Sequence, residues 1–186
     1  MKNLLAMMLT SGSLMSCAVP DCAAETGNKS SMVGETRRKV QWVVDGDTFK
    51  ICPKAVDGCK REEQISVRVK GLECPESSQE ACSHKPEADC ATHIPQGKKA
   101  KADAMKTLRG QIVTLVPPAG DGHFEEDKYH RVLAYVNMPN SSDFGYTMIE
   151  KGLCYDFGFR YPHEREDAYR ASQKKAGVFP LKPKKR

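Results

Sequence analysis

The sequence predicts an α+β fold: a five-stranded OB-type β-barrel with about three packed α-helices, stabilised by disulfides. Three observations predict it: the order of strand-like and helical segments, an Asp-Gly turn between the first two strands, and an even set of cysteines beyond the leader. With 186 residues and 39% hydrophobic content the chain can bury one core of ordinary size, so one folded domain is expected.

The first two strands are expected at Lys39 to Val44 and Thr48 to Cys52, both rich in β-branched and aromatic residues and joined at Asp45-Gly46, a tight-turn signal. Ile65 to Leu72 alternates apolar and polar residues and reads as a third strand. Cys74 to Gln96 is polar, acidic and without a clear period, and is expected to be a long disulfide-stapled loop. Ala100, Ala104, Met105 and Leu108 then recur at helical spacing, which predicts a helix over Lys98 to Leu108 stopped by Gly110. Gln111 to Val116 and Arg131 to Asn137 read as strands on either side of a charged loop, with Pro117-Pro118 ending the first. Tyr146 to Gly152 and His163 to Ala176 read as the last helices.

The opening MKNLLAMMLTSGSLMSC has a lysine, a short apolar stretch and small residues before Cys17, the layout of an export signal over residues 1–24. Leu14-Met15-Ser16-Cys17 resembles a bacterial lipobox, which would make Cys17 a lipid anchor; ordinary cleavage near Ala23-Ala24 fits equally. A polar linker follows over 25–36, then the domain over 37–180 and a basic tail over 181–186, with no transmembrane helix expected in the mature chain. A monomer in the periplasm, on a membrane as a lipoprotein, or secreted is expected.

Of eight cysteines, Cys17 and Cys22 fall in the leader, leaving Cys52, Cys59, Cys74, Cys82, Cys90 and Cys154. Cys52 and Cys59 flank a loop between two strand-like runs and are the best single pairing; the other four can pair in three ways. A zinc site is the rival reading, and the absence of a CxxC spacing argues against it. The net charge of +5 and pI near 8.7 suit a polyanionic partner without proving one.

Chemistry on a phosphodiester needs positive groups around the phosphate oxygens, a placed water and a carboxylate to take or steer its proton. Asp45-Gly46-Asp47-Thr48 puts two carboxylates at a hairpin mouth, which alone is no more than a common turn. In VRVKGLECPE, Arg68 sits inside an apolar strand with Glu73 and Glu76 just past its end; a buried arginine needs an anion, either a phosphate or a structural carboxylate. DKYHRVLAY delivers Lys128, Tyr129 and Arg131 at the start of another strand.

Taken in order, VDGDTFK, VRVKGLECPE and DKYHRVLAY resemble the three signatures of staphylococcal nuclease-like thermonucleases, over about Lys39 to Val178. The resemblance implies an exported enzyme that hydrolyses DNA and RNA with Ca2+ and leaves 3′-phosphate ends. It implies that Asp47 and Glu73 are carboxylate ligands of calcium, that Cys74 gives its backbone carbonyl, and that Asp45 stands in the outer shell; hard oxygens suit this ion. It further implies that Glu76 handles the attacking water, that Arg68 and Arg131 stabilise the transition state, and that Lys128 and Tyr129 contact a neighbouring phosphate. The family usually has Asp where Glu73 stands, and Thr or Ala where Cys74 stands. A catalytically weak or inactive OB-fold nucleic-acid-binding module is the alternative. Tyr155, Phe157, Phe159 and Tyr161 carry no assigned role, and core packing is expected for at least two. His84, His93, His123, His130 and His163 show no metal spacing and read as surface or loop histidines.

Overall fold

The computed structural model describes residues 32–177 apart from 55, 57, 85–88, 119 and 159. The export signal, Cys17, most of the linker and the basic tail therefore lie outside the described residues.

Five strands close into a mixed barrel: β1 (Thr36–Asp45), β2 (Thr48–Ile51), β3 (Ile65–Val69), β6 (Val132–Asn137) and β5 (Ile112–Val116), in that order around the ring. All pairings are antiparallel except β3 with β6, which run parallel with Val67 opposite Val132 and Arg68 opposite Leu133. Closure leaves the barrel strands no open edge, and the alternation of side chains sends Val40, Phe49, Val67, Leu115 and Val136 inward. Met32 joins this core and Thr36 already belongs to β1, so the folded body reaches back into the segment 25–36 read as a linker.

The third strand is shorter than its apolar pattern suggests. At Gly71 the backbone turns with φ +74°, a value that favours glycine, and the chain restarts as β4 (Leu72–Glu73). β4 leaves the barrel and pairs antiparallel with β7 (Tyr155–Asp156). A Cβ at Gly71 would fall 2.4 Å from the imidazole of His163, so the bend also serves packing.

The segment Cys74 to Gln96, expected as a loop, is largely helical. α1 (Gln79–Ser83) is capped by Ser78, and α2 (Cys90–Leu108) begins at the Asp89 cap, well before Lys98. The polar, Pro-containing first turns hid it: only His93 and Gly97 of this stretch are buried, too few for an apolar period. α2 lays Ala100, Ala104 and Leu108 on the barrel. α3 (Phe144–Glu150) and α4 (Glu166–Ala176) pack together through Tyr169, whose ring lies against Gly145.

Among the described residues three disulfides staple the chain: Cys52–Cys59, as expected, with Cys74–Cys154 and Cys82–Cys90. No described helix is long and apolar enough to cross a membrane.

Candidate nucleic-acid and metal site at the barrel mouth

The β1–β2 turn, the β3–β4 bend and the following loop meet at one mouth of the barrel. Gly46 lets the Asp45–Thr48 turn press onto its neighbours: a Cβ there would fall 2.8 Å from the Cys74 sulfur and 2.9 Å from Ala100 Cβ. Gly97 does the same for the opposite wall, where an added Cβ would fall 2.2 Å from the Glu76 carbonyl oxygen. The loop Cys74 to Glu76 is thus held between a turn, a helix and the Cys74–Cys154 disulfide.

Within this frame Asp47, Arg68, Glu73 and Cys74 come together. Asp47 is 4% exposed and Glu73 6%, an uncommon depth for carboxylates. Arg68 explains how both are tolerated: Nη1 lies 2.8 Å from Asp47 Oδ1, while Nη2 bonds Glu73 Oε2 and donates to the Leu72 carbonyl at 3.2 Å. The Cys74 N–H donates to Asp47 Oδ2 at 2.9 Å, and Thr48 Oγ1 donates to Asp47 Oδ1 at the same distance. Burial pulls the Arg68 pKa down, but Asp47, Glu73 and Glu76 outweigh it and raise the pKa well above the ordinary value. Glu76, half-buried at the rim, is therefore within reach of the same charge. Asp45 stands one step away, accepting a hydrogen bond from Ser77.

The second arginine has its own anchor. Asp127 accepts from Arg131 Nε at 2.8 Å and from the backbone N–H groups of Tyr129 and Arg131. Partial burial opposes ionisation of Asp127, but these bonds win and hold its carboxyl below the ordinary 3.8. Arg131 and Lys128 both lie over the Tyr129 ring, at 5.3 and 4.9 Å, and Tyr129 is 66% exposed. Because Val67, Val69, Val132 and Ala134 face the core, Arg68 and Arg131 project from the outer face of adjacent parallel strands. The structure brings the first four residues into direct contact; Arg131, Lys128 and Tyr129 form a neighbouring cluster on that face.

Among the described residues no three His, Cys, Asp or Glu side chains converge as a metal cluster. The expected direct set needs only two, the carboxylates of Asp47 and Glu73, with a backbone oxygen as third protein ligand. These hard oxygen donors fit calcium in kind.

Sequence reasoning missed several supports. Ser77 and Gly97 carried no motif signal, since their role lies in contacts between distant segments, and Cys154, expected in a disulfide, takes Cys74 as its partner among the three open pairings. Two histidines correct the surface reading: His93 is buried, and the wholly buried His163 side chain lies 2.8 Å from Asp156 Oδ1 and 3.3 Å from the Tyr135 hydroxyl. The late aromatic run is likewise not core: Tyr155 and Phe157 are half-buried, Tyr161 is exposed, and Phe159 lies outside the described residues.

A closed OB-type barrel with two buried carboxylates and an arginine at its mouth is that of a nuclease or nucleic-acid-binding class of protein, as the family match bears out. The family model for staphylococcal nuclease homologues matches residues 66–178, more than half of the 186-residue chain, and the protein belongs to that family. Asp45 and Asp47 lie before the matched residues and reach the site through the pairing of β2 with β3. No curated protein matches the sequence.

Proposed function

We propose that the protein is an exported, Ca2+-dependent nuclease that hydrolyses phosphodiester bonds of DNA and RNA and releases 3′-phosphate ends. The observation that carries this reading is the buried Asp47–Arg68–Glu73 cluster at the barrel mouth, on the same outer face as Arg131.

With 16% of its side chain exposed, Arg68 remains open enough to solvent to meet a phosphate oxygen in this reading. Arg131, oriented by Asp127, offers a second planar donor to the same group, and Lys128 with Tyr129 holds a neighbouring phosphate. Glu76 accepts the proton of a water that attacks phosphorus in line with the 5′ oxygen. The new P–O bond forms as the P–O5′ bond breaks, and the departing oxygen leaves as a hydroxyl after taking up a proton. Charge gathering on the phosphate oxygens is met by groups already fixed in place, so the protein contributes positioning and electrostatics with no covalent intermediate. Asp47, Glu73 and the Cys74 carbonyl would hold calcium, with Asp45 behind them, and the ion would supply Lewis-acid stabilisation of the phosphate.

The three disulfides support an oxidising compartment, and the leader supports export, with Cys17 either lipidated or removed. Nuclease activity measured with calcium and with chelator tests the reading; absent or calcium-independent cutting would sink it. One observation favours the binding-module alternative: Glu73 both replaces the family's usual Asp and is bonded to Arg68. Tight binding of oligonucleotides without any cutting would select that alternative.

A further inference from the structure

A β-bulge interrupts β1 between Val40 and Trp42, where two residues of β1 face one of β2. Val40 and Val43 stay in the core, so Gln41 and Trp42 are both pushed to the outside. Trp42 is the only tryptophan of the chain, and it is 47% exposed. A tryptophan is normally drawn largely into a core.

Its neighbours are cationic. The Arg109 guanidinium lies over the indole at 4.9 Å, coming from the turn between α2 and β5. Lys50 is the cross-strand partner of Trp42 in β2, and its own neighbours Phe49 and Ile51 are buried, so Lys50 also faces outward. Trp42 precedes Asp45 by three positions on the same strand, about 10 Å at strand rise. A strand of nucleic acid leaving the barrel mouth could cover that distance with two or three nucleotides.

We propose that Trp42, with Arg109 and Lys50, forms a second binding site on the outer barrel face: a stacking platform for a base of single-stranded DNA or RNA whose scissile bond lies at the mouth. An indole offers a base its π-face without regard to sequence, and the two cations meet the flanking phosphates, the combination by which single strands are held. The site rests on the proposed nucleic-acid substrate. It makes longer single strands better substrates than dinucleotides without touching the chemistry.

Because the chain has one tryptophan, its fluorescence reports the site directly. In chelator, where no cutting is expected, the full mature chain is titrated with an oligothymidylate of about 12 nucleotides and, separately, with inorganic polyphosphate. Saturable quenching by the oligonucleotide but not by polyphosphate is expected. Trp42→Ala and Arg109→Gln should each weaken oligonucleotide binding, read by anisotropy of a labelled strand, about tenfold. In calcium they should raise KM for the oligonucleotide by a similar factor, with kcat and dinucleotide cleavage unchanged. Equal quenching by polyphosphate, or quenching by neither, overturns the platform, as does an equal loss on dinucleotide and oligonucleotide. A protein that cuts but shows no quenching sinks only this site, whereas quenching without cutting sinks only the catalytic reading.

Discussion

At the scale of single residues, Arg68 carries two tasks that pull in different directions. It neutralises Asp47 and Glu73 inside the barrel mouth, and in the proposed reaction it also holds the phosphate. Removing one partner from a buried ion cluster costs about 3–5 kcal/mol, because the remaining charges stay buried. Arg68→Gln should therefore lower Tm sharply in chelator, and calcium should restore more of it than in the wild type; no calcium rescue in a melting experiment would count against Asp47 and Glu73 as ligands. Glu76 is half-buried and lies within reach of the Arg68 charge. Glu76→Gln should reduce kcat by about 10²–10⁴ while oligonucleotide affinity is kept, as loss of a general base predicts. Asp127 supplies the pH-dependent term. Its folded pKa is depressed, so its contribution to stability is present above 3.8 and is lost as pH falls through the lower folded value. Asp127→Asn should flatten this acid limb, seen as a smaller loss of Tm than in the wild type as pH falls below 3.8.

Among the elements, the pieces around β4 matter most. β4 and β7 pair over only two residues each, and the Cys74–Cys154 bridge sits beside that pairing and under the Gly46 turn. The bridge closes a sequence separation of 80, for which loop entropy suggests roughly 4 kcal/mol of stabilisation. Cys154→Ser should lower Tm and, because the expected calcium-binding loop loses its staple, should weaken the calcium dependence of activity beyond what the stability loss explains. Mild reduction of the intact protein should act in the same way, and full calcium response after reduction would show that the bridge only stabilises. The barrel strands were legible because alternation and the Asp-Gly turn are local signals: β2, β5 and β6 lie within a residue of expectation, whereas β1 begins three residues earlier and β3 ends three residues earlier, at the Gly71 bend. α1 and the first two turns of α2 were not, since their buried contacts come from close approach of Gly97 to the Pro75–Glu76 backbone rather than from an apolar stripe. Cys52–Cys59 was readable from a short hairpin, whereas Cys74–Cys154 joins segments that only the tertiary fold brings together.

For the whole molecule, a closed barrel with one crowded mouth turns widely spaced motifs into one surface. Asp47, Arg68 and Glu73 were recognisable by order and residue type, yet the bond network that keeps two carboxylates buried is a property of the fold. The same holds for Arg131, whose motif was visible and whose alignment with Arg68 follows from the parallel β3–β6 pair. The surplus of five positive charges sets the scale of nonspecific attraction, so oligonucleotide binding should weaken steeply with added salt. The most direct measurement is digestion of single-stranded and duplex DNA by the purified mature protein, with calcium and with excess chelator. Calcium-dependent cutting, faster on single strands and leaving 3′-phosphate ends, is the predicted result; cutting that persists in chelator, or none in calcium, would contradict it.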